Sequence, residues 1–172
     1  MQFGFEDLHL EHVAAKAGVG KATIYRRWAS KEALALDLLL ELATPHLVVD
    51  DTGDTREELV AVVHNTVRAL SETPFGMVLK ALMSQIAINP ALGDSFRRTI
   101  VAARQLEIEA VLQRGIARRD LRPDVDVAIS TELLVAPVYF RLVLGGHLDR
   151  RFAEDVADAV MAGLRSPRRR TR

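Results

Sequence analysis

The sequence predicts an all-α fold. Apolar residues recur at intervals of three and four along almost every segment, which is the spacing of one face of an α-helix. No segment of useful length alternates between apolar and polar residues, as a half-buried strand would. Glycine and proline stand where these helical segments begin or end, so that they mark helix boundaries.

Three short helices are predicted at the N-terminal end. A helix over Leu10–Ala17 ends at Gly18, which suits the left-handed position that often follows a helix. A second helix covers Lys21–Trp28. Ser30 is a good N-cap for a third helix, which ends before Pro45.

Capping signals predict three longer helices in the middle of the chain. Asp54 and Glu57 have the spacing of a capping box and open the first of them. The pairs Thr73-Pro74 and Asn89-Pro90 each resemble an N-cap followed by a proline at the first helical position. They predict helices over about 74–88 and 91–119.

The last two predicted helices suggest a second copy of the chain. The helix over about 125–145 is apolar nearly all round, and a helix of this kind must be buried on all sides. The helix that follows Asp149 has one apolar face. Two copies of this pair would form a four-helix bundle, although a central core helix in a single chain is the alternative. The interface of such a homodimer would use Leu133, Val138, Leu142, Val156, Val160 and Leu164.

Composition excludes several classes of protein. The chain has 172 residues, of which 49% are hydrophobic and 27% are charged, so it can fill a core. It has no cysteine, which excludes disulfides and thiol chemistry. The longest nearly uncharged run, Leu133–Leu144, is shorter than the roughly 20 residues of a membrane span. The chain also does not open with a signal peptide. We expect a cytoplasmic protein without a membrane partner.

The sequence contains no convincing catalytic or metal site. His9 and His12 supply at most two ligands, and no third ligand lies close in sequence. Glu107 and Glu109 point apart on a helix and therefore make a poor acid/base pair. We therefore expect neither an enzyme nor a bound metal or cofactor.

Charge is distributed unevenly, although 23 basic and 23 acidic residues balance over the whole chain. Every base of the first 31 residues lies between Lys16 and Lys31, a segment that has no acid. Residues 32–164 have more acids than bases, and a run of arginines ends the chain. A short basic module on an acidic body predicts that one end of the molecule binds a polyanion such as double-stranded DNA.

The basic segment has the spacing of a helix-turn-helix. Ala14 allows a second helix to approach closely, Gly18 makes the turn, and Ile24 and Trp28 point towards the core. The second helix presents basic, small and hydroxyl side chains outward, a mixture that suits base edges and phosphates.

Three motifs in this segment closely resemble the DNA-binding domain of the tetracycline-repressor (TetR/AcrR) family. They are residues 13–19 (VAAKAGV), 23–28 (TIYRRW) and 30–34 (SKEAL). Residues 90–97 and 120–124 resemble, more diffusely, a ligand-binding C-terminal domain of that family.

The resemblance implies a DNA-binding domain over residues 1–44, a ligand-binding and dimerisation domain of antiparallel helices over 45–165, and a basic disordered tail over 166–172. It places Lys21, Ala22, Thr23, Arg26 and Arg27 in the major groove, and Tyr25 and Lys31 at phosphates. His9 and Gly20 occupy family positions for hydroxyl side chains, which they lack. The resemblance also implies a helix before Gly4-Phe5, and we expect that the sequence lacks this start.

The implied function is that of a ligand-responsive transcriptional repressor, released from a pseudo-palindromic operator by a small and largely apolar effector. Candidate pocket residues are His64, Phe75, Met77, Met83, Gln85, Leu106, Tyr139 and Phe140, with Arg104, Glu107 and Arg141 as further polar groups. The alternative is a helical ligand-binding or interaction protein that has lost DNA binding.

Overall fold

The structure is a computed structural model that describes residues 8–165. Within this range all of the regular structure is helical, apart from one isolated antiparallel bridge between Leu121 and Arg165, and this confirms the predicted all-α class. The α-helices are α1 (Leu10–Ala17), α2 (Lys21–Arg27), α3 (Lys31–Ala43), α4 (Thr55–Glu72), α5 (Phe75–Ile88), α6 (Pro90–Phe96), α7 (Ala102–Ala117), α8 (Val127–Leu144) and α9 (Arg150–Leu164). The predicted tail over 166–172 lies outside the described residues.

Most of the predicted helix boundaries are confirmed by their caps. Gly18 follows α1 with a φ of 67°, the left-handed conformation that glycine adopts at little cost. The side chains of Ser30, Asp54, Asn89 and Asp149 accept hydrogen bonds from backbone N–H groups in the first turns of α3, α4, α6 and α9.

The predicted single helix over 91–119 differs from the structure in one respect. A π-helical segment, Arg97–Val101, separates α6 from α7. This segment contains neither glycine nor proline, so the sequence gives no signal for it. Wider π turns of this kind occur often at functional sites.

The helices enclose two hydrophobic cores. Leu10, Ala14 and Ile24 form a small core inside α1–α3, against which Trp28 packs. The main core is built on α4, which contacts α5, α7, α8 and α9. Because Leu39 of α3 is buried in the main core, α3 joins the N-terminal module to the body.

Helix α8 is only partly buried within one chain. Leu134 and Val138 face the main core, whereas Ile129, Leu133 and Phe140 are exposed. Among the described residues, α8 has the length and apolar composition of a membrane span, which also fits a core helix. In the fold it packs against α4, α7 and α9.

Candidate nucleic-acid interface and interior cavity

The N-terminal module holds α2 against α1 by a tight turn. The backbone N–H of Val19 donates to the carbonyl of Ala14 at 3.0 Å, which closes the turn around Gly18. Ala14 is buried beneath α2, and Ile24 fills the space between the two helices. This arrangement is a helix-turn-helix whose second helix has one fully exposed face.

The exposed face of α2 presents Lys21, Ala22, Thr23 and Arg26. Gly20 is the N-cap of α2 and His9 is the N-cap of α1, both in extended conformation and without a side-chain capping bond. Lys31 is half-buried at the first position of α3. The side chains predicted at the major groove, including that of Arg27, are therefore all exposed.

Arg27 points towards α3. Its guanidinium lies 4.8 Å from the ring centre of Trp28, and Nη2 lies 3.4 Å from Oδ2 of Asp37. The indole N–H of Trp28 donates to the same carboxylate at 3.0 Å. The side chain of Arg27 is nevertheless 69% exposed, so its contact with the major groove stays a prediction.

Tyr25 donates its hydroxyl proton to Oε1 of Glu11 at 2.7 Å. This bond lowers the pKa of Glu11, with nearby Lys21 and His9 acting in the same direction, and it raises the pKa of Tyr25. The predicted phosphate contact of Tyr25 therefore competes with an internal partner that sequence reasoning missed. Glu11 brings a negative charge to a face that is otherwise basic.

An interior cavity lies between the end of α3 and helices α4, α7 and α8. Its lining is mostly apolar and consists of Ala43, Leu47, Thr66, Ala69, Phe75, Ile100, Arg104 and Tyr139. The free space is about 10 Å³, which corresponds to about one water molecule. Two of the predicted pocket residues, Phe75 and Tyr139, line this cavity.

The other predicted pocket residues lie elsewhere. Met77, Leu106 and Phe140 are 71%, 68% and 65% exposed, so they do not line an interior cavity and the prediction is wrong for them. Met83 is also exposed, and His64 and Gln85 are half-buried but do not line the cavity. A large apolar side chain on a helix does not by itself show whether it faces the interior or solvent, so the sequence could not decide which of these residues line a cavity.

Two of the further polar groups meet beside the cavity. Nη1 of Arg104 donates both to Oε2 of Glu107 and to the carbonyl of His46, the latter at 3.1 Å. Burial raises the pKa of Glu107 to about 7, although Arg104 opposes this shift. Arg141 instead donates to the carbonyl of His147 and lies 3.7 Å from the ring centre of Phe152.

An open apolar groove of about 400 Å³ lies between α8 and α9. Of the predicted interface residues, Leu133, Val156, Val160 and Leu164 line it. Val138 has an exposed fraction of 0% and Leu142 is buried, because both face the core of their own chain. The prediction that these two contact a partner is therefore corrected.

Comparisons with known proteins agree with this arrangement. The family described as "Bacterial regulatory proteins, tetR family" matches residues 1–38, and "Tetracyclin repressor-like, C-terminal domain" matches residues 49–160. The uncharacterized HTH-type transcriptional regulator YdeS of Bacillus subtilis is 29% identical over 96% of this chain and 84% of its own length. The DNA-binding transcriptional repressor TetR of Mycobacteroides abscessus is 30% identical over 95% of this chain and 86% of its own length.

A solved structure shares the whole arrangement of helices. The crystal structure of the TetR family transcription regulator SCO0332 aligns with a TM-score of 0.79 and 30% identity, over 95% of this chain and 90% of that one. The family match over more than half of the chain, together with the exposed basic helix of the N-terminal module, leads to one conclusion: the chain belongs to the TetR family of ligand-responsive, helix-turn-helix DNA-binding transcriptional regulators.

Proposed function

We propose that this protein is a dimeric cytoplasmic repressor, which a small and largely apolar effector releases from a pseudo-palindromic operator. The observation that carries the proposal is the exposed face of α2, where basic and small side chains stand clear of the body. Each copy would insert one α2 helix into a major groove.

On this face, Arg26 is the main candidate for recognising bases in the major groove. An arginine can donate two hydrogen bonds to a guanine edge, and small or methyl-bearing side chains such as Ala22 and Thr23 can contact thymine methyl groups. Lys21 and Lys31 lie near the starts of their helices and are suited to phosphates. Arg27 would also support α2 through Trp28 and Asp37.

The groove between α8 and α9 supports the proposed dimer. Its floor is apolar, and exposed apolar surface of this kind is typical of interfaces. A second copy would set the distance between the two α2 helices, and successive major grooves require about 34–36 Å. An effector that binds better to a dimer with another separation would shift the population off DNA.

The proposal predicts a large loss of specific binding on replacing Arg26 by alanine. We expect affinity for the operator to fall by about tenfold to a hundredfold, because a bidentate arginine–guanine contact contributes about 1–3 kcal/mol. The measurement is fluorescence anisotropy on a duplex enriched from a random pool with the wild-type chain. Arg68→Ala is the matched control, because Arg68 is an exposed arginine of α4 that pairs with Glu72.

Two results would contradict this assignment. If wild type and Arg26→Ala bind the enriched duplex with equal affinity, α2 is not the recognition helix. Failure of the wild-type chain to enrich or shift any duplex would favour the alternative, a helical ligand-binding protein that has lost DNA binding.

A second prediction concerns Glu11. The change Glu11→Gln keeps an acceptor for the Tyr25 hydroxyl and removes a negative charge near Lys21 and His9. We expect all duplexes to bind several-fold more tightly at low salt, because the phosphates no longer compete with an internal carboxylate for Lys21. Anisotropy on enriched and unrelated duplexes tests this, with exposed Glu41→Gln on α3 as the control. Weaker binding by Glu11→Gln would contradict the idea that Glu11 competes with DNA.

A further inference from the structure

We propose that the Arg104–Glu107 pair anchors the polar end of the effector, and that this effector is an uncharged, largely apolar molecule with a hydroxyl group that donates to Oε1 of Glu107. This inference rests on the effector function proposed above. It adds the chemical class of the ligand and the residues that recognise it.

Glu107 has a buried acceptor without a donor among the described residues. The side chains of Arg104 and Glu107 are 9% and 5% exposed. Oε2 of Glu107 accepts from Arg104, whereas Oε1 is buried and has no hydrogen-bond partner within the part of the chain that the structure describes. A buried acceptor without a donor destabilises the folded state, more so when the group is charged, and a donor from a ligand would remove this penalty.

The pair adjoins the interior cavity. Arg104 lines the cavity directly, and Glu107 lies one helical turn further along α7. The lining also includes Phe75, Tyr139 and Ile100. Because the free space is small, an effector must displace part of the wall to enter, and Ile100 belongs to the irregular π segment.

Charge selects the class of ligand. Arg104 and an ionised Glu107 together carry no net charge, and an ionised ligand would bring an uncompensated charge into the interior, which is unfavourable. A pure hydrocarbon would leave Oε1 unsatisfied. An uncharged hydroxyl compound avoids both costs, and the apolar lining accepts its body.

Arg104 also connects the cavity to the DNA-binding module. The same Nη1 that donates to Glu107 donates to the carbonyl of His46, in the turn that directly follows α3. The π segment offers a second connection, because Ile100 lines the cavity while Thr99 lines an open cleft against Trp28 and Asp37. A ligand that rearranges Arg104 or Ile100 therefore acts on residues that support α3.

Protonation provides a test of the donated bond. Glu107 has a pKa raised by burial to about 7 and is therefore about half protonated at neutral pH. A hydroxyl that donates to Oε1 stabilises the ionised form, so binding releases a proton. The affinity should then rise about tenfold from pH 6 to pH 8, the factor by which the ionised fraction of a group with this pKa increases.

Two other titratable groups, Tyr139 and His46, lie near Arg104. Arg104 faces Glu107 from the same helix, and Tyr139 of α8 lies close to Arg104, with a pKa raised by burial. His46 has a pKa lowered by burial and by the charges of Arg68 and Arg104, whereas Glu72 opposes this shift.

The experiment is calorimetric titration of the full chain with three matched probes, 4-propylphenol, 4-propylanisole and 4-propylbenzoate, at pH 6, 7 and 8. We expect the phenol to bind, and to bind more tightly as the pH rises. The anisole has a similar volume and an acceptor but no donor, so we expect it to bind at least about tenfold more weakly. The benzoate should also bind more weakly than the phenol.

Two variants test whether the pH dependence and the preference for phenol arise from the carboxylate of Glu107. Glu107→Gln should abolish the pH dependence of phenol binding and reduce the preference for phenol over anisole. Glu109→Gln, an exposed position on the same helix, should change neither. Failure of all three probes to bind, equal binding of phenol and anisole, or benzoate binding that tightens as the pH falls would each overturn the inference. DNA binding by the same sample, measured by anisotropy without probe, shows whether the proposed function survives that outcome.

Discussion

Replacing Glu58 by alanine should lower the free energy of unfolding by about 3–5 kcal/mol, the usual cost of removing one partner from a buried ion pair. Glu58 has an exposed fraction of 0%. Its Oε2 accepts from Nε of Arg114 at 2.7 Å, and its Oε1 lies 2.8 Å from Nη2 of Arg118. Without this carboxylate, Arg114 of α7 and Arg118, which directly follows α7, keep their charge in partly buried positions with one acceptor fewer.

Loss of Glu58 should also affect the segment between α3 and α4, which Glu58 and Arg118 hold in place. Its Oε1 also accepts from the backbone N–H of Thr52 at 3.3 Å, and Arg118 pairs with Asp51. Both contacts hold the segment between α3 and α4 against the end of α7. Loss of Glu58 should therefore loosen the connection between the N-terminal module and the body as well as the main core.

Urea denaturation at several protein concentrations measures this change, because dimerisation would make the apparent stability depend on concentration. The matched control is Glu57→Ala, which removes the same type of side chain one position earlier, where it is exposed. Its loss should cost at most about 1 kcal/mol, the contribution of an acidic residue to the first turn of a helix. Equal losses for the two variants would contradict the importance of the buried pair.

The sequence predicts the helix caps but not the buried contacts of Glu58. Caps and turns depend on neighbouring residues, so Ser30, Asn89 and Asp149 could be identified from the sequence alone. Glu57 and Glu58 are identical in type and adjacent in sequence. Only Glu58 becomes buried, because α4 packs against α7 and brings Glu58 to Arg114, which lies 56 positions further along the chain.

In the candidate site, too, features set by neighbouring residues could be predicted, whereas contacts between helices could not. The turn at Gly18 and the outward face of α2 follow from local spacing, and both were predicted. The partners of Tyr25 and Arg27 were not, because Glu11 and Asp37 lie on neighbouring helices. Pocket residues were the least predictable, since packing decides whether an apolar residue such as Met77 faces a cavity or solvent.

Gly163 supplies an independent reason to expect a partner on the groove between α8 and α9. A Cβ added at this position would meet nothing within 4 Å, so packing within one chain does not explain the glycine. Close approach of a second helix would account for it, and Ala159 on the same side of α9 is also small.

The change Leu133→Glu should convert the proposed dimer to a monomer and lower operator affinity by at least about a hundredfold. Leu133 is 50% exposed and lines the groove, so a glutamate there would place two like charges in an apolar interface. A monomer engages a single half-site and loses the effective concentration that links the two recognition helices, which contributes factors of about 10²–10⁴. Sedimentation velocity and anisotropy on the enriched duplex measure the two effects.

Met77→Glu is the control for this change, because Met77 is a more exposed apolar residue on α5 outside the groove. It should leave both the oligomeric state and DNA affinity unchanged. Binding by Leu133→Glu should recover at protein concentrations that favour two independent half-site contacts, since α1–α3 remain intact. A Leu133→Glu chain that remains dimeric would exclude the α8–α9 groove as the interface, and the spacing of the two α2 helices would then be set by another surface.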